Sequence, residues 1–559
     1  MGQGQEVHAR RLLTQSMTQG GWVLLQNCHL SVAYMSEALH ELENAEQLHD
    51  DFRLWVTTEV HPGFPIAFLQ TSIKFTNEPP QGVKASLKRT YGSFTQEYLD
   101  FSKLPQWKSL VFVVSFLHTT VQERRQYGPL GWNIPYEFNT SDLNASLQFL
   151  QNHLDELDAM KNIDWKCVRY MLGEIQYGGR VTDDFDKRLL LTYCKAWFHE
   201  AIFSPDFEFS RGYRIPQVTT LEAIMDWINE LPPTVSPQVF GLHENANIVY
   251  QGRRAKEILN CILSIQPKDA GSGLGETRED AVYRMTEDML SKLPPNYIAF
   301  EVAERLNQMG SLEPMNIFFR QEVDRIQRLI NTVRVCLTDL QLAINGTVVM
   351  NQTLRDEMNC IYNACIPTAW VKISWESSTL GFWFTELIER NHQFANWLNN
   401  GRPTCFWITG FFNPQGFLTA IRQEVTRKHE GWALDSVVLW NEVTKFMNDD
   451  VNKPPSEGTL VYGLFLEGAG FDRRNLCLSD AKSKILYQPM PVIHIQAREL
   501  EKDKEVPKEM LKNLYVCPVY KKPRRTDLTF VTSFYLRCPL GKPAEFWILR
   551  GTALLCDIR

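Results

Sequence analysis

The stretch that most constrains this chain is Gly20-Gly-Trp-Val-Leu-Leu-Gln-Asn-Cys-His-Leu30. Trp22 to Leu25 is a short apolar run after two glycines, and it ends abruptly in Gln26, Asn27 and His29. Apolar residues then return at helical spacing through Met35, Leu39 and Leu42. The pattern predicts a buried parallel strand, a polar tip and an amphipathic helix, the repeating unit of a wound α/β sheet. In a nucleotide hydrolase such a tip carries an acidic pair: an Asp that orders Mg²⁺ and a Glu that orients water. Gln26 and Asn27 occupy those places here, and a neutral amide neither balances a metal's charge nor serves as a general base. The expectation is a nucleotide-type fold with its catalysis removed.

At 559 residues the chain has room for roughly three or four domains of about 150 residues. Its 44% hydrophobic and 12% aromatic content suits packed globular domains. A formal net charge of -7 argues against a general nucleic-acid binder. The twelve cysteines include no Cys-x-x-Cys, and the closest pair is Cys360 and Cys365. That spacing indicates neither a zinc site nor a disulfide framework, so free thiols in a reducing compartment are expected. The apolar run Leu110 to Leu117 is too short to span a bilayer.

A second strand is expected at Phe52 to Thr58, stopped by His61-Pro-Gly63, and a third at Leu110 to Val114. Beyond residue 118 the pattern becomes all-helical. Ser141-Asp142, Asp164 and Asp183 are placed to start helices. Gln266 to Arg278 is the best linker candidate, being rich in glycine and charge. Phe319, Val323, Ile326, Ile330, Val333, Leu337, Leu340 and Ile344 then alternate at spacings of four and three. They predict a long helix from Asn316 to Ile344, about 43 Å at 1.5 Å per residue. It is either a coiled-coil seam or one stripe of a bundle, and the absence of a charge code at the flanking positions favours the bundle. After Gly401 short strands are expected at 404–408, 437–440, 459–466, 492–496, 514–520, 528–536 and 546–549, with a helix opening at Asn413-Pro414 and a charged excursion at 501–510. A small β-barrel or sandwich is the predicted outcome.

No Gly-x-x-x-x-Gly-Lys-Ser/Thr occurs, and Gly271-Ser-Gly-Leu-Gly275 lacks the lysine and a preceding strand. His29 beside Cys28 is assigned a structural role, because neighbours in an extended segment point apart. Arg180 precedes a helix and has two readings, a phosphate contact or an ion pair with Asp183 or Asp184. Lys521-Lys-Pro-Arg-Arg525 is either a solvated turn or a nuclear signal. Trp375, Trp383, Trp397 and Trp407 are either core or interface anchors.

Taken together, Gly20–Leu30, FRLWVTTEVHPGFPIAFLQTSIKFTNEPP (52–80), GWNIPYEFNTS (131–141), GEIQYGGRVTDDFDKRLL (173–190), GLHENANI (241–248), WLNNGRPTCFWITGFFNPQG (397–416), 458–474 and 515–526 resemble the C-terminal end of axonemal dynein heavy chains, nearest to the outer-arm type. The resemblance covers essentially the whole chain. It implies an incomplete α/β AAA+ large subdomain of a degenerate sixth module over 1–118, with its first strand and phosphate loop lying before Met1. An all-α lid would follow over 119–265, then a linker at 266–280. An α+β C-terminal domain would complete the layout, helical over 281–400 and β-rich over 401–559. It further implies that this segment is structural and regulatory, with no catalytic residues and no cofactor or metal of its own. ATP and Mg²⁺ would sit in upstream modules of a minus-end-directed microtubule motor ATPase. By position Thr57 and Thr58 resemble the end of a sensor strand, and Arg180 lies where a sensor arginine occurs in active relatives. Implied partners are the rest of the heavy-chain ring and, through the parent complex, intermediate chains, light chains and microtubules, with no nucleic acid and no membrane. The implied location is the cytoplasm and cytoskeleton, in the axoneme of a cilium or flagellum. The competing expectations are a residual nucleotide-binding ATPase module and an independent interaction scaffold.

Overall fold

Strand β1 (Trp22–Leu25) pairs in parallel with β2 (Arg53–Val56), as the apolar runs predict. Val23 and Leu25 point into a small core with Leu13 and Met17 of helix α1 (Glu6–Gln19) and Tyr34 and Met35 of α2 (Val32–Glu43). Trp22 and Leu24, on the opposite face of β1, are exposed. Pro65 then leads into a short helix, α3 (Ile66–Thr71). The computed structural model describes residues 1–558 except 3, 46–47, 76–79, 103, 156–161, 266–276, 311–312 and 500–512. The predicted linker and its Gly271–Gly275 run, as well as the charged excursion at 501–510, lie outside the described residues. The chain divides into two compact units, Met1–Pro80 and Gln81–Arg559.

The second unit begins with α4 (Val83–Gly92), α5 (Gln96–Leu99) and α6 (Gln106–Glu123). The expected strand at Leu110–Val114 is instead the middle of α6, and His118 lies within the same helix. The helix is buried almost all round, with Trp107, Leu110, Val111, Phe112, Val113, Val114, Phe116 and Leu117 each in the core. A fully buried helix has no polar face, so its apolar run carries no period that separates it from a buried strand. Helix α7 (Thr140–Asp155) packs along α6, and α8 (Trp165–Tyr170) and α9 (Asp184–Trp197) contribute to the same core. Asp164 and Asp183 cap α8 and α9 as expected, each accepting two backbone N–H groups. At α7 the cap is Asn139, whose Oδ1 accepts from Ser141 N at 2.9 Å, while Asp142 turns inward. The region is not purely helical. A hairpin of β3 (Glu208–Ser210) and β4 (Tyr213–Arg214) lays Phe209 against Phe116, ring centroids 4.3 Å apart. Helices α10 (Leu221–Glu230) and α11 (Ala246–Ile265) complete this half.

The next half opens with α12 (Arg278–Lys292), α13 (Ala299–Gln308) and α14 (Pro314–Ile344). At 31 residues α14 is about 46 Å long. Its stripe of Phe319, Val323, Ile326, Ile330, Val333, Leu337 and Leu340 is buried against α12, α15 (Gln352–Tyr362), α16 (Thr368–Val371) and α18 (Pro414–Lys428). Packing on several partners, rather than one parallel seam, rules out the coiled-coil reading. Helix α17 (Leu380–Asn400) brings Trp383 and Trp397 into the same core, where Trp375 stacks on Trp383 and Phe319 on Trp397. Of the four expected anchors only Trp407 is partly exposed, so the tryptophans are core residues.

The strands do not close into a barrel. Strands β5 (Cys405–Trp407), β7 (Thr459–Tyr462), β12 (Ile493–Glu499) and β6 (Val437–Val443) form one mixed sheet in that order. Strands β11 (Tyr487–Pro489), β8 (Phe465–Glu467), β15 (Ala553–Leu555), β13 (Leu514–Tyr520) and β14 (Phe530–Arg537) form a second. A side chain takes the place of a continuing ladder between edge strands β6 and β14. Asn441 Nδ2 donates to Tyr535 O at 3.0 Å and its Oδ1 accepts Tyr535 N at 2.7 Å, with Trp440 stacked on Tyr535. Strands β9 (Gly470–Asp472) and β10 (Cys477–Ser479) form a separate hairpin. The expected strand at 546–549 is helix α19 (Ala544–Leu549), which follows Pro543 and buries Trp547. Among the described residues no helix is long and apolar enough to cross a membrane.

Candidate functional site

In the first unit the polar tip is a tightly hydrogen-bonded turn. Leu25 O accepts Thr57 N, and Thr57 O accepts Cys28 N, both at 2.9 Å. Between them Asn27 adopts a left-handed backbone, φ 56° and ψ 50°, and its N–H reaches Thr57 Oγ1 at 3.0 Å. Asn tolerates this region better than most residues, because its short polar side chain bonds locally. The structure thus brings Gln26, Asn27 and Thr57 together at the ends of β1 and β2, with the side chains of Gln26 and Asn27 exposed. Thr58 turns its hydroxyl to Glu59 O at 2.9 Å. His29 Nδ1 accepts Glu59 N at 3.2 Å, and buried Cys28 bonds Leu25 O through Sγ at 3.4 Å, so both have structural roles. Burial pushes the Cys28 thiol up, away from nucleophilic behaviour. The tip is held by backbone and hydroxyl bonds, and its two leading side chains are amides.

Arg180 belongs to the second unit. Its Nε lies 2.7 Å from both carboxylate oxygens of Asp142, not against Asp183 or Asp184. Asp183 is occupied as the cap of α9 and as acceptor of Asn133 Nδ2 at 3.0 Å. Among the described residues no group of three or more His, Cys, Asp or Glu side chains converges as a metal site.

The larger concentration of buried polar chemistry lies where the helical half of the second unit meets its sheets. Arg124, at the end of α6, is fully buried. Its Nε donates to Gly131 O at 3.0 Å and Nη2 to Leu130 O at 3.1 Å. Nη1 donates to Tyr193 Oη at 2.7 Å, Phe240 O at 2.6 Å and, across the junction, Leu549 O at 3.0 Å. A guanidinium presents its donors in a fixed plane, so one side chain fixes the bend after α6, helix α9 and the end of α19 relative to one another. From α9, Arg188 Nη1 donates to Val516 O at 2.8 Å and its guanidinium lies 5.3 Å over the Tyr515 ring. Asn133 Nδ2 also donates to Tyr520 Oη at 3.0 Å. Asn245 bonds Lys482 O and Ile485 O through Nδ2, both at 2.9 Å, and accepts Lys484 N at 2.8 Å. Lys195 and Glu545 close the exposed rim at 2.7 Å.

Two glycines permit this approach. A Cβ at Gly551, φ +64°, would stand 2.4 Å from Leu130 O, and one at Gly241, φ +75°, would stand 2.9 Å from Leu549 Cβ. Beneath them Arg525 and Glu467, both buried, pair at 2.5 Å. Burial disfavours the Arg525 charge, but the facing carboxylate more than offsets this and holds the guanidinium protonated. Asp186 accepts Asn133 N at 3.0 Å and Ile134 N at 3.1 Å, and burial still pushes its carboxyl up to about 7. Of the basic run, Arg525 is buried and Lys521 half-buried. Lys521 Nζ donates to Phe412 O at 2.6 Å, and the run forms the turn between β13 and β14 in which Arg524 is exposed while Arg525 is buried. Sequence reasoning missed Arg124, Asn133, Arg188 and Asn245, because a single polar residue carries no period that tells a buried one from a solvated one.

Family models match three successive stretches: the dynein heavy chain region D6 P-loop domain over residues 1–76, the dynein heavy chain AAA lid domain over 107–246 and the C-terminal domain of dynein heavy chains over 252–556. The chain is 58% identical to dynein axonemal heavy chain 5 of Mus musculus over 560 residues, and 58% identical to dynein axonemal heavy chain 8 of Homo sapiens over 559. It is 45% identical to the dynein gamma chain of the flagellar outer arm of Chlamydomonas reinhardtii over 574 residues. Each alignment takes in 100% of this chain but only 12% or 13% of the relative. The buried junction accordingly joins the parts matched by the lid and C-terminal models. With the C-terminal model alone matching more than half of its residues, the chain belongs to the dynein heavy chain family.

Proposed function

We propose that this chain is the C-terminal, non-hydrolytic portion of an axonemal dynein heavy chain. Its residues 1–118 act as a degenerate AAA+ large subdomain, 119–265 as its lid, 266–280 as a linker and 281–559 as a C-terminal domain with helical and β-rich parts. The parent protein is then a microtubule motor ATPase of the ciliary or flagellar axoneme. Its ATP and Mg²⁺ are bound by upstream modules, and its partners are the rest of the ring, intermediate and light chains, and microtubules. The segment needs no cofactor, and Gln26, Asn27, Thr57, Thr58 and Arg180 make no nucleotide contact. Its work is to close the ring and carry lid movement into the C-terminal domain as a rigid body.

The observation that carries this reading is the Arg124 junction. One buried cation binds carbonyls from the bend after α6, the Phe240 turn and α19, so these elements move together or not at all. The amides at Gln26 and Asn27 and the engagement of Arg180 by Asp142 support the non-hydrolytic part. The test is ATP binding and turnover by the purified chain beside a Gln26→Asp/Asn27→Glu double variant. The expected result is no turnover in either. Turnover by the unmodified chain that disappears in Arg180→Ala would support a residual ATPase module instead.

A further inference from the structure

The cysteine pair singled out by spacing alone acquires a geometry at the end of α15. The helix stops in a tight reversal. Ala364 adopts a left-handed backbone, φ 54°, its N–H donates to Ile361 O at 3.0 Å, and Cys365 N–H donates back to Cys360 O at 2.8 Å. This double hydrogen bond is the Schellman stop, in which side chains at the third-from-last helical position and the second position beyond the cap meet in an apolar contact. Here both positions are thiols, Cys360 and Cys365. The reversal is anchored from outside, since Leu380 N donates to Ala364 O at 2.9 Å. Cys365 is exposed and Cys360 is half-buried behind it. A disulfide requires Cα atoms about 4.4–6.8 Å apart, and a direct backbone hydrogen bond between two residues holds their Cα atoms within about that range.

We propose that Cys360 and Cys365 form a reversible disulfide at this cap, a thiol pair that reacts with small-molecule disulfides such as oxidised glutathione. The Cys365 thiolate, the accessible one, attacks one sulfur of the oxidant. A Cys365–glutathione mixed disulfide forms, and one glutathione thiolate leaves and takes up the proton that Cys365 gave to solvent. The Cys360 thiolate then attacks Cys365 Sγ, forming the protein disulfide and releasing the second glutathione, which is protonated in turn. Two protein thiols are oxidised and one oxidant disulfide is reduced to two thiols. The proton on Cys360 is held more firmly than usual, by burial and by the neighbouring Cys365, which makes Cys360 the resolving rather than the attacking thiol. The closed loop is short, so the bond adds little to global stability. Its consequence is local: it locks the end of α15 and removes Cys365 from further oxidation or adduct formation.

The full chain is incubated with oxidised glutathione, free thiols are blocked, and the tryptic peptide between Arg355 and Lys372, which holds these two cysteines and no other, is weighed. The expected result is a peptide lighter by two hydrogens with no blocking group, restored to two blocked thiols after reduction. In Cys360→Ser the same peptide should accumulate as the glutathione adduct on Cys365. Exposed Cys261 on α11 serves as the reference for oxidant strength. The proposal is overturned if the unmodified chain stops at the Cys365 adduct, or keeps both thiols free, under conditions that modify Cys261.

Discussion

At the tip of β1 the polar groups stand in solvent and hold only a turn, whereas at the lid–sheet junction they are buried and hold separate elements in register. Asn27 N–H donates to Thr57 Oγ1, and Thr57 bonds Leu25 and Cys28 through its backbone, all at the ends of two neighbouring strands. Arg124 spans from α6 to α19, and Arg188 from α9 to β13. Asn27 could be changed without opening a core. Arg124 could not, because the four backbone carbonyls and the Tyr193 hydroxyl that accept from it converge on a fully buried side chain. The tip carries amides at Gln26 and Asn27 and is held by local bonds, whereas the buried polar interactions lie at the junction.

The comparison breaks most visibly at Arg124. Arg124→Met should lower stability by about 5 kcal/mol, since it strands several buried acceptors at about 1–3 kcal/mol each. Urea unfolding of the purified chain measures this, and a loss below about 1 kcal/mol would remove the junction's special status. Asp186 gives a pH signature. Its folded carboxyl titrates near 7 against an ordinary value of 3.8, so the folded state holds more protons through that window. Stability contributed here is fully present below about pH 4 and declines as pH rises to about 7, by at most about 4 kcal/mol at 1.36 kcal/mol per unit. The difference in unfolding free energy between the unmodified chain and Asp186→Asn should follow that slope, and a flat difference would contradict the assignment. Arg525→Met leaves Glu467 as an unpaired buried charge and should cost about 3 kcal/mol, with much of it recovered in the Arg525→Met/Glu467→Leu double variant. A double variant as unstable as the single one would show that packing, not charge, dominates there. The smallest effect belongs to the tip. Thr57→Ala removes one acceptor from a partly solvated turn and should cost about 1 kcal/mol in thermal unfolding.

Much of this architecture was legible in the residues. β1 and the helix after it announced themselves by a change of period, and Asp164, Asp183 and Asn413-Pro414 marked helix starts by cap chemistry that acts over three residues. The failures share a cause. Leu110–Val114 in α6 is an apolar segment surrounded by protein, where period is lost because every face is buried, and Phe546–Leu549 in α19 is a four-residue apolar run too short to show any period. The barrel failed because strand content says nothing of which edges pair, and Asn441 rather than a backbone ladder joins the two sheets. Arg180 found Asp142, 38 residues earlier in the sequence, where sequence reasoning offered only its neighbours. The junction was the least legible part. Arg124 sits beside Arg125, whose ion pair with Glu137 is exposed, and nothing local distinguishes the buried arginine from the solvated one.

The most direct test places both regions in one full-length heavy chain and measures microtubule gliding together with ATP turnover. Gln26→Ala/Asn27→Ala alters the tip. Arg188→Ala/Asn133→Ala loosens the junction while leaving Arg124 in place. The account predicts that the tip variant glides and hydrolyses as the unmodified motor does, and that the junction variant changes gliding velocity relative to turnover. The opposite pattern, an impaired tip variant beside an unaffected junction variant, would contradict it.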